Sequence, residues 1–301
     1  MTGAALIAKH RLICIFTAFI LISNVSPLYA NERITWMGCG ISRKAFMEEI
    51  AKAYTEKYDI KFRMAGGGAT KGIRLTANGI ADVGGSCRHV LRLNGDIVSE
   101  EQGVTMVHVA WDAIVVITHK SNPVKNISSQ QLRNIYVGKI SNWQSLGGDN
   151  QAIDVNVRSS SISGVSYMFR MLIFDDPHFE LPIKTLQHES SGPLEKNIES
   201  RSIYGIAVTG ISSARKRAVS ILSIDGVYPS KQNIASGQYP YFRPLYMVVL
   251  NHPQQKTRDI MNYILSEEGQ AIISQQGTIN LKEGKKLEKR WTMTPLIQQV
   301  P

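Results

Sequence analysis

The chain has few cysteines, few charges for its length and no long apolar run. Three cysteines in 301 residues (Cys14, Cys39 and Cys87) exclude a disulfide-dense scaffold. Charged residues make up 19% and hydrophobic ones 43%, an ordinary globular balance that excludes a collagen, a coiled coil or a disordered tail. No apolar stretch reaches the roughly 18–20 residues needed to span a bilayer as a helix; the longest runs from Leu12 to Ile22, interrupted only by Thr17. Catalytic signatures are also missing. There is no Gly-x-Ser-x-Gly elbow, no His-Glu-x-x-His pair and no Walker loop. His89, His108, His119, His178, His188 and His252 are scattered, and no His or carboxylate shares a ligand-like spacing with the cysteines. Neither a metal nor a cofactor is expected. Basic residues outnumber acidic ones by 34 to 24, but they are spread along the chain. The densest clusters, Arg215-Lys216-Arg217 and Lys282 to Arg290, read as solvated surface, so nucleic acid is not an expected partner.

The apolar run is informative all the same. Lys9, His10 and Arg11 precede it, and Asn24, Ser26, Pro27 and Ala30 follow it. A basic start, a short apolar stretch and a small residue before Asn31 describe a secretory signal peptide over residues 1–30. Its removal leaves 271 residues with 32 basic and 24 acidic side chains, a net +8. A chain of that length suggests two domains or lobes and buries a substantial core without staples.

After Ala30, β-rich runs alternate with helical periods. Ile34 to Met37 reads as a strand ending in Gly38-Cys39-Gly40. Residues 43–58 read as a helix with Phe46, Ile50, Ala53 and Tyr54 on one face, N-capped by Ser42. Ile60 to Met64 is the next strand, followed by Gly66-Gly67-Gly68 and a helix through Ile73 and Leu75. Val104 to Val109 and Ala113 to Thr118 read as two strands separated by Ala110-Trp111-Asp112. Asn122-Pro123 is a turn, and Ser128 with Gln131 forms a capping box. Ile153 to Val157 is a strand, Ser163-Gly164 opens a helix, and Ile203 to Val208, Val219 to Ile224 and Leu245 to Leu250 are further strands. One helix is expected over 257–274. The strand, glycine loop and helix succession indicates an α/β protein of two lobes.

Three glycine-rich turns follow β-like runs: Gly38-Cys39-Gly40-Ile41-Ser42, Gly68-Ala69-Thr70-Lys71-Gly72, and Ser161-Ile162-Ser163-Gly164. Such a turn at a helix start exposes backbone N–H groups at the positive end of the helix dipole and attracts anions. Each alone is ordinary turn chemistry. Together in an α/β chain, where ligands bind at the carboxyl ends of strands, they mark a candidate site. Arg158, just upstream of the third turn, supplies a guanidinium for bidentate oxyanion binding. Ser42, Ser86, Ser163 and Ser166 supply hydroxyls, and Gly84-Gly85-Ser86-Cys87-Arg88 adds a thiol and a cation.

Several of these segments resemble the phosphate-binding periplasmic proteins of ABC importers. They are Gly68 to Ile73, Asp82 to Arg88, Trp111 to Val116, Asn122 to Ile127, Leu132 to Trp143, Tyr239 to Tyr246 and Ser266 to Gln270, in preserved order over roughly residues 34–281. The resemblance implies a type II periplasmic-binding-protein fold. Each of its two lobes is a central mixed β-sheet flanked by helices, and the chain crosses the hinge twice, near Trp111 to Val115 and near Arg243 to Tyr246. Lobe 1 would comprise 31–112 and 244–301, the latter with the C-terminal helix and a basic tail, and lobe 2 would comprise 113–243. The resemblance further implies a monomeric, periplasmic solute-binding protein without catalytic turnover, holding a small inorganic oxyanion and delivering it to an ABC permease or a sensor. By position the resemblance implies a ligand set of Gly40, Ile41 and Ser42, Ala69, Cys87, and Arg158, Ser163, Gly164 and Val165; Thr70 and Ser86, from the turns themselves, complete the candidate ligands.

The chain departs from the family where hydroxyls are expected. Ala69 and Val165 replace a Ser and a Thr, Cys87 replaces an Asp or Ser, and one extra residue separates Arg158 from Ser163. Each missing hydroxyl removes a hydrogen bond to a charged ligand, about 1.5–3 kcal/mol. Cys39 and Cys87, the two thiols left after signal removal, both fall on ligand loops. They are a candidate disulfide that would narrow or block the site, or a reactive thiol pair. Two other functions therefore stand beside anion capture: a thiol-based redox protein using Cys39 and Cys87, and a ligand-free family member that binds a protein partner.

Overall fold

The computed structural model describes residues 33–292. The signal-peptide segment, Cys14 and the last nine residues lie outside the described residues. No described helix is long and apolar enough to cross a membrane.

Nine strands form one continuous ladder of mixed direction. They are β1 (Arg33–Gly38), β2 (Lys61–Gly66), β3 (Val83–Ser86), β4 (Val104–His119), β5 (Asp154–Arg158), β6 (Leu186–His188), β7 (Gly205–Gly210), β8 (Val219–Ile221) and β9 (Phe242–Leu250). The order is β2-β1-β3-β9-β4-β7-β5-β6, with β8 also paired to β4. On the first lobe β1 runs parallel to β2 and β3, and β9 returns antiparallel to β3 and β4. On the second, β7 is antiparallel to β4 and parallel to β5, which is parallel to β6. Helices flank each half, giving the two-lobed α/β architecture of periplasmic binding proteins.

The lobes share β4. Its register with β9 ends at Ala113, and its register with β7 begins at Ile114. The two strands expected over 104–109 and 113–118 are thus one sixteen-residue strand. Trp111 and Asp112, which read as a break, are buried within it. Asp112 is tolerated there because Arg243 on β9 pairs with it at 3.0 Å and Ser212 donates to its other oxygen at 2.7 Å.

Other differences have local causes. The helix after β1 starts at Gly40, not after Ser42, and runs as Gly40–Ser42, a π-helical stretch Arg43–Met47 and Glu48–Tyr58. Ser42 is already helical at φ −58° and ψ −38°, so it cannot be the N-cap. The helix expected over 257–274 is two, Gln255–Leu265 and Glu267–Gln275, because Ser266 adopts extended backbone and caps the second by accepting from Gly269 N–H. The run from Val219 to Ile224 divides at Leu222, with Ser223–Ile224 pairing Asn126–Ile127 instead. The Ser128–Gln131 capping box forms as expected. In the basic tail, Lys285–Thr292 is a helix whose Leu287 and Trp291 are buried. Trp291 meets His89, Trp111 and Phe242 with ring centroids 5.9–6.1 Å apart.

Glycine lets the first lobe bring a helix N-terminus to the end of the sheet. A Cβ on Gly72, in the helix Gly68–Ala77, would lie 2.6 Å from Gly85 O and 2.9 Å from Gly38 Cα. Only a bare backbone packs this closely, so Gly72 fixes where that helix begins. Gly67 and Gly68 supply the turn before it, at φ +146° and +89°.

Candidate functional site: a cationic cleft at four helix N-termini

The carboxyl ends of β1, β2 and β5 open onto a cavity of about 230 Å³. Four helices begin at it. Gly40 starts the first, Gly68 and Ala69 the second, Gly164 and Val165 the helix Gly164–Phe174, and Ser191 and Gly192 the helix Ser191–Ser200. The first four N–H groups of a helix have no partner within it. At three of these starts, after Cys39, Gly67 and Ser190, no side chain caps them. The fourth is capped by Ser163, which accepts from Ser166 N–H. Unpaired N–H groups and aligned dipoles from both lobes therefore converge on one space.

The side chains agree in sign. Arg43, Lys44, Arg158 and Arg217 line the cavity, and no Asp or Glu does. Arg43 and Lys44 share Glu48 at 3.1 and 3.0 Å, and Arg217 pairs with Glu195 and Glu199 at 3.3 and 3.6 Å. Arg158 differs from these three. It is 8% exposed, and no carboxylate of the described residues lies within 4.0 Å of its guanidinium. It donates to the backbone carbonyls of His188 and Glu189 and to Ser191 Oγ. Burial depresses its pKa, opposed in part by the charges of Cys39, Cys87 and Glu195. Carbonyls orient this guanidinium without neutralising it.

The two halves of the site are in contact. A Cβ on Gly164 would sit 2.5 Å from Cys87 Sγ and 2.9 Å from Ala69 Cβ, so the lobes are closed here to backbone distance. Thr70 Oγ1 donates across the cleft to Ile162 O at 3.0 Å, and Arg88 Nε donates to the same carbonyl at 2.8 Å. Behind them Arg88 is fully buried against Glu101 at 2.6 Å.

Of the residues selected from the sequence, Gly40, Ala69, Arg158, Gly164 and Val165 line the cavity, as does Cys39. Ile41 and Ser42 are buried in the first turn of the first helix and do not line the cavity. Ser86 Oγ donates to Arg88 O at 2.7 Å, and Ser166 Oγ accepts from Arg170. Thr70 is bound to Ile162, and Ser163 is occupied as a cap. Ser42, Ser86 and Ser163, expected to orient an anion, therefore do not line the cavity, because the protein engages their hydroxyls. The sequence reading missed Arg43, Lys44, Gly66, Ser190 to Gly192, Ser213 and Arg217 as cavity residues. The Gly66-Gly67-Gly68 run was visible as a loop. Arg217 lay in a cluster that read as solvated surface, and only its fold places it beside Gly192.

Cys39 and Cys87 are free thiols, both buried, with their sulfurs 2.8 Å apart. The candidate disulfide is thus unformed although its partners are adjacent. Burial opposes ionisation of Cys39 but is outweighed by the Cys87 hydrogen bond, the Arg243 charge and the N–H groups of Ser42 and Ile41, which bring its pKa down to about 7. Cys87 moves the other way, well above the usual thiol value, through burial and the neighbouring Cys39. Of the pair, Cys39 is therefore the thiol that gives up its proton first.

The chain is similar to phosphate-binding proteins. It is 28% identical over 257 residues to the phosphate-binding protein PstS of Bacillus subtilis, covering 81% of each chain. It is 27% identical over 265 residues to PstS of Borreliella burgdorferi, covering 84% of this chain and 91% of that one. A crystal structure of a phosphate ABC transporter substrate-binding protein from Clostridium perfringens, with bound phosphate, superposes with a TM-score of 0.73 at 28% identity, over 83% of this chain and 99% of that one. The model of the PBP superfamily domain matches residues 41–268, and the chain belongs to that superfamily.

Proposed function

We propose that the protein is an exported solute-binding protein that captures phosphate, or a tetrahedral oxyanion like it, between its lobes and presents it to an ABC permease. The observation that carries this reading is Arg158: a buried guanidinium with no carboxylate of the described residues within 4.0 Å, facing a cavity lined by four helix starts and by no described Asp or Glu. An oxyanion there receives backbone N–H groups from both lobes and a planar cation from β5, so binding and closure are one event. The missing hydroxyls of Ala69 and Val165 are offset by Arg43, Lys44 and Arg217 at the rim. Those cations add charge but little geometric selectivity, so arsenate should compete well with phosphate.

Isothermal titration of residues 31–301 with phosphate, arsenate, sulfate, molybdate and small carboxylates tests the reading. Saturable one-to-one binding of phosphate is expected. No heat and no thermal shift with any of these anions refutes it.

A further inference from the structure

We propose that Cys39 and Cys87 form a reversible disulfide that raises the affinity of the adjacent cleft for its anion, making capture stronger in the oxidised protein. This rests on the anion-binding reading above and names the regulation of that same site.

The two sulfurs are 2.8 Å apart, so closing to the S–S length of about 2.05 Å needs under about 1 Å of movement. They sit on different strand ends, after β1 and β3, so no helical turn strains the link. Cys39 lines the cavity and Cys87 does not. The bond therefore forms beneath the cleft floor and not across its mouth, and the ligand space stays open. On this placement the bond leaves the site open where the sequence suggested that it would narrow or block it.

The direction follows from what the reduced pair does. Cys39 stands immediately before the first helix, where an anion would seek the same N–H groups. A thiolate there is favoured by the Cys87 hydrogen bond, then by the Arg243 charge and the nearby Ser42 and Ile41 N–H groups, and it draws on the charge of Arg158, which lines the same cavity. Reduced, the protein carries a competing internal anion among its own donors. Oxidised, the sulfurs are neutral, and Arg158 on the cavity wall keeps its whole charge for the incoming anion.

The chemistry is a two-electron oxidation by a hydroperoxide, small enough to enter the cavity. The Cys39 thiolate attacks the peroxide oxygen, the O–O bond breaks, and the departing alkoxide or hydroxide takes a proton from solvent and leaves as alcohol or water, giving a sulfenic acid. Cys87 sulfur then displaces hydroxide, which leaves as water with the Cys87 proton, and the S–S bond forms. A dithiol reductant reverses it by exchange.

The ionisable groups around Cys39 are Cys87 after β3, Asp112 on β4, Arg243 on β9, Arg158 on β5, and Arg43 and Lys44 on its own helix. The pKa of Cys39 is brought down to about 7. The reduced protein therefore loses affinity relative to the oxidised one as pH rises from 6 to 8. Taking the ratio of the two states at one pH cancels the titration of phosphate itself.

The test compares the phosphate Kd of residues 31–301 by titration calorimetry, fully reduced and after hydrogen peroxide, at pH 6 and pH 8. Intact mass reads the loss of two hydrogens. The expected result is roughly tenfold or tighter binding on oxidation at pH 8, the worth of one charge-assisted hydrogen bond, and a smaller ratio at pH 6. Cys39→Ala, lacking the thiolate, should bind phosphate without added oxidant as tightly as the oxidised parent, and Cys87→Ser should gain nothing from peroxide. Equal Kd in the two states, or no loss of two hydrogens while both thiols alkylate after denaturation, overturns the inference and leaves anion binding standing. Absence of binding in both states overturns anion binding and this inference with it. If a variant fails to fold, the two states of the parent chain decide.

Discussion

Replacing Gly164 by alanine separates closure from chemistry. The new methyl carbon would lie 2.5 Å from Cys87 Sγ and 2.9 Å from Ala69 Cβ, both inside van der Waals contact. Neither neighbour can retreat, since Cys87 and Ala69 are fully buried in the first lobe. Gly164 opens a helix at negative φ, so alanine suits its backbone and the cost falls on the approach of the lobes. Overpacking of this kind costs about 1–3 kcal/mol. Because the clash exists only when the lobes are closed, that energy appears in anion affinity as a roughly 5- to 150-fold weaker Kd. Calorimetric titration with phosphate measures it. Small-angle scattering should show a larger radius of gyration for the variant at subsaturating phosphate. Wild-type affinity in Gly164→Ala would refute the argument, because it would mean that the lobes bind anion without reaching this contact.

Arg158→Lys keeps the charge and loses the planar fork, so phosphate affinity should fall at least about tenfold in calorimetry; an unchanged Kd would remove Arg158 from the ligand set. Asp112→Leu strands Arg243 in a fully buried site and should cost about 3–5 kcal/mol in urea denaturation, against near-neutrality if the pair is dispensable. His89 is held down to about pH 4 by burial, then by the charges of Arg88, His108 and Arg92. A depressed His must charge on unfolding, so its stabilisation is complete above pH 6.5 and declines as pH falls towards 4. His89→Phe should flatten that acid limb in thermal melts between pH 4 and 7, and an identical pH profile would count against it.

Local chemistry was the legible part of the sequence. Ser128 and Gln131 sit three residues apart and form their capping box without help from the rest of the chain. Ser163 before Gly164 likewise marked a real helix start. What failed was whatever distant partners decide. Asp112 looked like a strand break until Arg243, 131 residues away, neutralised it. Ser42 looked like a cap, but the chain turns into helix three residues earlier, at Gly40, and the hydroxyl is buried against Ser86. At the site, Arg158 was visible because it ends a strand beside a glycine turn. Arg217 was not, because its role depends on the helix Ser191–Ser200 arriving beside it. Cys39 and Cys87 were suspect from their loops, and their 2.8 Å spacing needed the sheet to bring β1 and β3 together.

The sixteen-residue strand β4 belongs to both lobes at once, hydrogen-bonded to β9 along one half and to β7 along the other. A flexible linker would let the halves swing freely. A continuous pleated ribbon resists bending in its plane and yields mainly by twisting. Opening the cleft should therefore be a torsion stored along this ribbon and returned on closure, as in a leaf spring. The stiffness of β4 would then set how fast a trapped anion can escape.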